Sequence, residues 1–423
     1  MPGPLEGISV LEFTEVISGP LAGMILSDYG ASVIKIEPPW GDSWRYMYKI
    51  SESESRPFMA YNRGKRNMTL NLKHPEAGQI IQKLAKDSDV VIVNASPNVA
   101  DSLGIGYEQL ANINPRIIYC ENTAYGSYAG DGYVSGYDLV IQAVCGLIGT
   151  ESRIDDSGRP EQIWSTPLID TTSGLNLVAS ICAALYYREK TGLGQKIETN
   201  LLSCAIQLMG MRLVEVESLD KSRNLEFVED VTNLRKAKLS HKEIRDFYES
   251  RQDVAPGNIY YRTFLTSDGA LAVACLNDPL RKKLLQVLNL EDIRFEVDYN
   301  PKAKRSIEFG DRLIELAESK FNSKNTEEWL CMLFANNIPA GPIRFKEELF
   351  SDAKLVENGF LIDVKHKDQG KIRMTGALAR FSKSKNELKY QLGALGEHTE
   401  EILQEYGFTK SQCTEFRDNG VIV

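Results

Sequence analysis

The sequence predicts an α/β protein whose larger part is a parallel, doubly wound sheet, and three observations carry that expectation. Residues 8–13 form an apolar run of strand length, a Gly19-Pro20 turn follows, residues 21–29 have helical spacing, and SVIKIE at 32–37 is a second strand. That succession is a βαβ unit. The alternation then continues, with a helix expected at 74–86 and strands at 90–94 and 117–121. Finally, 423 residues with 43% hydrophobic and 25% charged content have room for a large core and two lobes.

Each element has a local reason. Pro20 suits the first turn of its helix because its missing N–H has no partner there anyway. Residues 138–147 read as a glycine-flanked helix, and 197–202 as either a strand or a helix start. Residues 214–253 are rich in charge and poor in apolar runs, as in a linker. Beyond it, strands at 260–265 and 271–275 flank a Ser267-Asp268-Gly269 turn and predict a hairpin. Helices are expected at 279–290, 309–321 and 326–336, completing a small α+β domain over 254–337. IPAGPI at 338–343 marks the return to the large domain, which comprises 1–213 and 338–423, with strand-like 360–364 and 371–374 and a helix at 399–406.

Composition excludes several classes. A net charge of −9 argues against nucleic acid or an anionic membrane as partner. Seven scattered cysteines with no CxxC read as reduced thiols in a cytoplasmic protein, without a zinc or disulfide framework. No signal peptide is evident and no apolar run approaches the length of a membrane span. The four histidines lack metal-ligand spacing, so no metal site is expected, and GxSxG is absent. The first βα turn reads GPLAG rather than GxGxxG, which disfavours a dinucleotide. The basic cluster Asn62-Arg63-Gly64-Lys65-Arg66, with Lys73 beyond it, is either a solvated loop or a phosphate site.

The most informative carboxylate is Asp170. It precedes an apolar helix whose residues Leu175, Val178, Ala179, Cys182, Leu185 and Tyr186 recur at helical spacing, with Gly192 and Gly194 as the stop. At that position an Asp is either a helix cap or a nucleophile. Free N–H groups and the positive end of the dipole would favour its ionised form.

Eight blocks in order resemble the class III CoA-transferases, the family of formyl-CoA transferase and the carnitine CoA-transferase. They are LEGISVLEFTEVISGP, GASVIKIEPPWGDSWR, NRGKRNMTLNLKHPEAG, LGIGYEQLANINPRIIY, SGYDLVIQAVCGLIGT, IDTTSGLNLVASICAALYYREKTGLGQKIETNLL, NIPAGPI and LGEHTEEIL. The resemblance implies a Rossmann-like large domain built from both chain ends, a smaller inserted domain, and a homodimer of two interlocked ring-like chains. It implies coenzyme A, carried as an acyl-CoA co-substrate, a carboxylic acid as second substrate, and Asp170 as nucleophile. Asp138 matches an acidic position beside the family's site. Val16, Ser18, Leu70, Lys73, Asn94, Leu103 and Tyr137 match positions that hold CoA, with Lys65 and Arg66 as further phosphate contacts.

The sequence also departs from the family. Pro38, Ser102 and Ser135 stand where relatives carry basic residues, and the segment containing Asn94 has Ala95 in place of a Phe. These changes argue against formyl-CoA or oxalate as substrate, and leave a non-catalytic subunit in a heteromer with a related chain as one alternative. The other alternative is a 2-methylacyl-CoA racemase of the same fold. That chemistry uses a His-Asp pair where this chain has Tyr137-Asp138, and a phenol with a reference pKa of about 10 is a poor general base.

Overall fold

The computed structural model describes residues 2–126, 135–163, 166–252, 257–366, 368–386 and 393–423. Residues 253–256, where the linker was expected to meet the small domain, lie outside them. The chain divides into two compact units, one of residues 1–245 with 356–423 and one of 246–355.

The larger unit is built on a six-stranded sheet of β1 (Ser9–Phe13), β2 (Ser32–Glu37), β3 (Arg66–Thr69), β4 (Val90–Val93), β5 (Ile118–Thr123) and β6 (Gln195–Asn200). The spatial order is β3-β2-β1-β4-β5-β6, and every pairing is parallel. Chain order therefore runs outward in opposite directions from β1 and β4, a topological switch point. The segment 197–202 resolves into the end of β6 and the start of a helix. β3 was not anticipated: its first residue, Arg66, belongs to the basic cluster read as a loop or phosphate site.

The helices that matter for the site are α1 (Ser18–Asp28), α2 (Arg56–Asn62), α3 (Ala77–Lys86), α4 (Pro97–Ser102), α5 (Tyr107–Ile113), α6 (Asp138–Val144), α7 (Leu147–Glu151) and α8 (Leu168–Thr191). Strand residues alternate between the two sheet faces. Val10, Val33, Val90, Ile92 and Ile118 pack with α1 and α8 through Leu26, Leu177 and Ile181. Leu11, Ile34, Val91 and Tyr119 face the other way, onto Ile80, Leu84 and Leu110 and the C-terminal residues Ile402, Leu403 and Phe416.

α8 buries a different stripe from the one its apolar residues suggested. Ser173, Gly174, Leu177, Ile181, Ala184 and Arg188 face inward, whereas Leu175, Tyr186 and Tyr187 are exposed. Gly174 explains the choice: a Cβ there would come within 2.8 Å of the Ser18 carbonyl oxygen, so only glycine lets α8 approach α1 this closely. By length and a mean hydropathy of 1.4, α8 qualifies as a candidate span, contrary to the expectation from apolar runs. Its buried Arg188 pairs with Asp89 at 2.8 Å, and its inner stripe is packed on the sheet. The left-handed Gly192 ends it, its N–H donating to the Arg188 carbonyl.

After α9 (Leu201–Leu208), the described part of the segment expected as a linker carries two helices, α10 (Glu217–Lys236) and α11 (His241–Ser250). Their charge is compatible with a solvated helix, as in the Lys221–Glu217 pair one turn apart at 2.6 Å.

The smaller unit contains the expected hairpin as β7 (Tyr261–Leu265) and β8 (Ala270–Ala274), joined by a short third strand, Ala340–Pro342. Its core stacks Phe264 on Phe321 with centroids 4.3 Å apart, and Trp329 donates its indole N–H to the Phe321 carbonyl at 2.7 Å.

Candidate active site

At the carboxyl ends of the strands, a cavity of about 600 Å³ opens across the β1–β4 switch point. Open α/β sheets place ligands in this crevice. Val16, Ser18, Leu70, Lys73, Asn94, Leu103, Tyr137 and Asp170 all line it, residues spread over 154 positions of sequence, from 16 to 170. Pro38 and Ser135, two of the lost basic positions, also line it. Among the described lining residues Lys73 is the one cation, and it is exposed.

Lys65 and Arg66 do not line the cavity. Lys65 is buried and its ammonium is held by Glu12 at 2.8 Å, the Pro20 carbonyl at 2.8 Å and Asn62 at 2.9 Å. Burial lowers its pKa to about 8 despite Glu12. Arg66 lies on β3 and pairs with Glu401 at 3.1 Å and Glu405 at 2.7 Å. Arg63 of the same cluster pairs with Asp28 across α1. The basic cluster thus joins elements of the fold and leaves little charge for a phosphate.

Asp170 occupies the third position of α8, in the first helical turn, with Pro167 rather than Asp170 at the N-cap. The cap comes from elsewhere. Asp138, first residue of α6, accepts the N–H groups of Ile169 at 2.8 Å and Asp170 at 3.0 Å on one oxygen. Its other oxygen accepts from the Gln142 side chain one turn along α6. The donors expected to stabilise the Asp170 carboxylate therefore serve Asp138. Burial first, and the Asp138 charge second, push the Asp170 carboxyl up to about 7. The expectation that the helix terminus holds Asp170 ionised is thus reversed. Among the described residues no side chain is hydrogen-bonded to its carboxylate, which faces the cavity. Gly174 lies in the second turn of α8, where helix geometry commits its N–H to the residue-170 carbonyl rather than to a ligand.

The ends of α1 and α8 are tied together beneath the cavity by Asn122 at the end of β5. Its amide donates to Ser18 Oγ at 2.9 Å, and its carbonyl oxygen accepts from Ser173 Oγ at 2.9 Å and Thr199 Oγ1 at 2.8 Å. Ser18, matched to a CoA-holding position, thereby has its hydroxyl oxygen engaged. Asn94 likewise spends its amide on the backbone, accepting from Glu15 N–H at 3.2 Å and donating to Glu15 C=O at 2.9 Å. Asn122 and Asn94 act as braces of the crevice.

Sequence reading missed Asp42, Glu15, Asn122 and Tyr61. The Tyr61 phenol on α2 is pushed up by burial and then by the Asp170 charge, which places it in the field of that carboxylate. No local pattern flags these residues, because their partners are remote in sequence.

The family model for CoA-transferase family III matches residues 5–399. The chain is 31% identical over 409 residues to the succinyl-CoA:glutarate CoA-transferase of Mus musculus, covering 95% of this chain and 86% of that protein. It is 28% identical to the formyl-CoA:oxalate CoA-transferase of Rhodopseudomonas palustris, covering 100% of this chain and 98% of that protein. Among solved structures, a CAIB/BAIF family protein from Brucella suis is 29% identical with a TM-score of 0.72, covering 96% of this chain and 100% of that one.

Proposed function

The chain belongs to CoA-transferase family III, and we propose that it moves CoA from succinyl-CoA to a second carboxylic acid through covalent intermediates on Asp170. The observation that carries this reading is Asp170 itself: a carboxylate on the cavity wall whose oxygens no described side chain engages. Relatives named for succinyl-CoA and glutarate support the choice of donor and a dicarboxylic acid as acceptor.

The chemistry needs only a carboxylate and the CoA sulfur. Ionised Asp170 attacks the thioester carbonyl, forming a mixed anhydride and expelling CoA thiolate. The thiolate attacks the Asp170 side of the anhydride, which gives an aspartyl-CoA thioester and releases the donor acid as carboxylate. The acceptor carboxylate then attacks that thioester, forming a second anhydride and expelling the thiolate again. Attack of the thiolate on the acceptor's acyl carbon yields the new acyl-CoA and restores Asp170. Asp138 caps α8 and fixes the backbone on which Asp170 sits, and it raises the basicity of the Asp170 carboxylate. The N-terminus of α1 at Ser18 presents partial positive charge to the same cavity.

A homodimer, interlocked as in the family, accompanies this reading. Its support is the second apolar face of α8, exposed at Leu175, Tyr186 and Tyr187, and exposed Leu219, Leu225 and Val228 on α10.

The test is transfer by the purified single chain from succinyl-CoA to glutarate and to oxalate, with new thioesters resolved by chromatography. The expected result is transfer to glutarate and not to oxalate, with Asp170→Asn slower by at least about a thousandfold. Parent-rate transfer by Asp170→Asn removes the nucleophile assignment. Absence of transfer until a related chain is added favours the non-catalytic subunit, and α-deuterium exchange into a 2-methylacyl-CoA favours the racemase.

A further inference from the structure

Val16 is a β-branched residue with φ of 74°, in the left-handed region that such side chains rarely adopt. Backbone in that state persists only where its surroundings over-determine it. Here the surroundings are three side chains, Lys35 and Asp42 buried and Asn94 half-buried, acting on three consecutive residues. Lys35 on β2 donates its ammonium to the Thr14 carbonyl at 2.6 Å. Asn94, just beyond β4, engages both backbone groups of Glu15. Asp42 accepts the Val16 N–H on both carboxylate oxygens, at 3.3 and 3.4 Å.

Asp42 is fully buried and joined to Lys35 at 3.0 Å, so two of the three grips share one ion pair. Burial pulls the Asp42 carboxyl upward, but the Lys35 charge and the N–H groups of Trp44 and Val16 outweigh it and hold it below the usual range. Lys35 also reaches Glu12 at 3.3 Å. The turn leads directly into α1, where Pro20 has no N–H to offer the Val16 carbonyl four residues back. Val16 lines the cavity, and its carbonyl has no backbone N–H partner among the described residues.

We infer that Asp42, with Lys35, is a positioning residue that clamps the Thr14–Val16 turn so that Val16 presents an unpaired carbonyl acceptor to an amide N–H of CoA. This inference rests on the reading of the cavity as a CoA site. The chemistry matches because the pantetheine arm carries amide N–H groups, and a preset acceptor spares the ligand the cost of ordering the turn. The strain at Val16 is then a feature of the binding conformation, maintained by the ion pair behind it.

The experiment is CoA binding by titration calorimetry, with steady-state KM and kcat, on the full chain and four variants. Asp42→Ala should weaken CoA binding by at least about tenfold and raise KM for acyl-CoA more than it lowers kcat. Val16→Gly alone is the reference for the double variant, since glycine accepts a positive φ without help from the clamp. In the Asp42→Ala background, Val16→Gly should recover at least about threefold of the lost affinity, a rescue that a purely structural role for Asp42 does not produce. Val16→Pro leaves the ion pair intact but fixes φ near −65°, and should lose at least about tenfold in affinity while melting cooperatively. This last variant decides the matter if Asp42→Ala does not fold. Parent-like binding by Asp42→Ala or Val16→Pro, or absence of the glycine rescue, overturns the clamp alone. A parent protein that binds no CoA overturns the functional reading and the clamp with it.

Discussion

Two groups of charge lie near the same cavity and are built on opposite plans: one is buried throughout, the other joins buried Asp170 to half-buried Asp138. On the β1–β2 side, Glu12, Lys35, Lys65 and Asp42 form a paired network, as do Glu37 and Arg45 beside it at 2.7 Å. On the α6–α8 side, Asp138 and Asp170 are like charges, and among the described residues no cation pairs with either. The paired group fixes backbone: it holds Thr14 and Val16 and so shapes the crevice. The unpaired group leaves a carboxylate whose ionisation is unfavourable, which is the property a nucleophile uses. Burial of charge alone does not mark a reactive residue; the missing partner does.

Breaking the paired side should have the largest effect on stability. Lys35→Met leaves Asp42 buried without a cation and Glu12 with Lys65 alone, and such a loss costs about 3–5 kcal/mol, measurable by urea unfolding. The unpaired side should respond with the opposite sign. The folded-state pKa of Asp170 is raised from 3.8 to about 7, so the folded protein holds a proton that the unfolded chain releases. Stability is therefore lost as pH rises from about 4 to about 7. Asp170→Asn should recover up to about 4 kcal/mol at pH 8 and little at pH 4, seen as a pH-dependent gain in Tm.

Two smaller effects sharpen the contrast. Asp138→Asn keeps an acceptor for the Ile169 and Asp170 N–H groups but removes the negative charge beside Asp170. The acidic limb of kcat/KM, expected near pH 7 in the parent, should move to lower pH; an unmoved limb assigns it to another group. If Lys73, the exposed cation of the cavity wall, meets a CoA phosphate, Lys73→Met should raise KM for acyl-CoA by about three- to tenfold, with a weaker dependence on salt than the parent.

Most of the sheet was legible because buried parallel strands are short, largely apolar runs: β4 is Val90–Val93, where a strand was expected at 90–94. β3 was not, since RNMT shows no apolar run and its pairing with β2 is a long-range event. The wall of the cavity was legible through family blocks, which placed eight matched residues on one surface. The roles of Lys65 and Arg66 were not, because a basic cluster in sequence does not reveal partners such as Glu405, 339 positions away. The protonation of Asp170 was misjudged for the same reason. Local sequence shows a helix start with free N–H groups, but their acceptor is Asp138, 32 positions earlier.

The central claim is that the unpaired carboxylate, Asp170, becomes acylated. Incubating the purified chain with succinyl-CoA, quenching with hydroxylamine and mapping peptides by mass spectrometry tests it most directly. A hydroxamate on Asp170, formed more readily at pH 8 than at pH 6 and absent without succinyl-CoA, is the predicted result. An unmodified Asp170 under conditions where CoA is transferred, or a hydroxamate on another carboxylate, would contradict it.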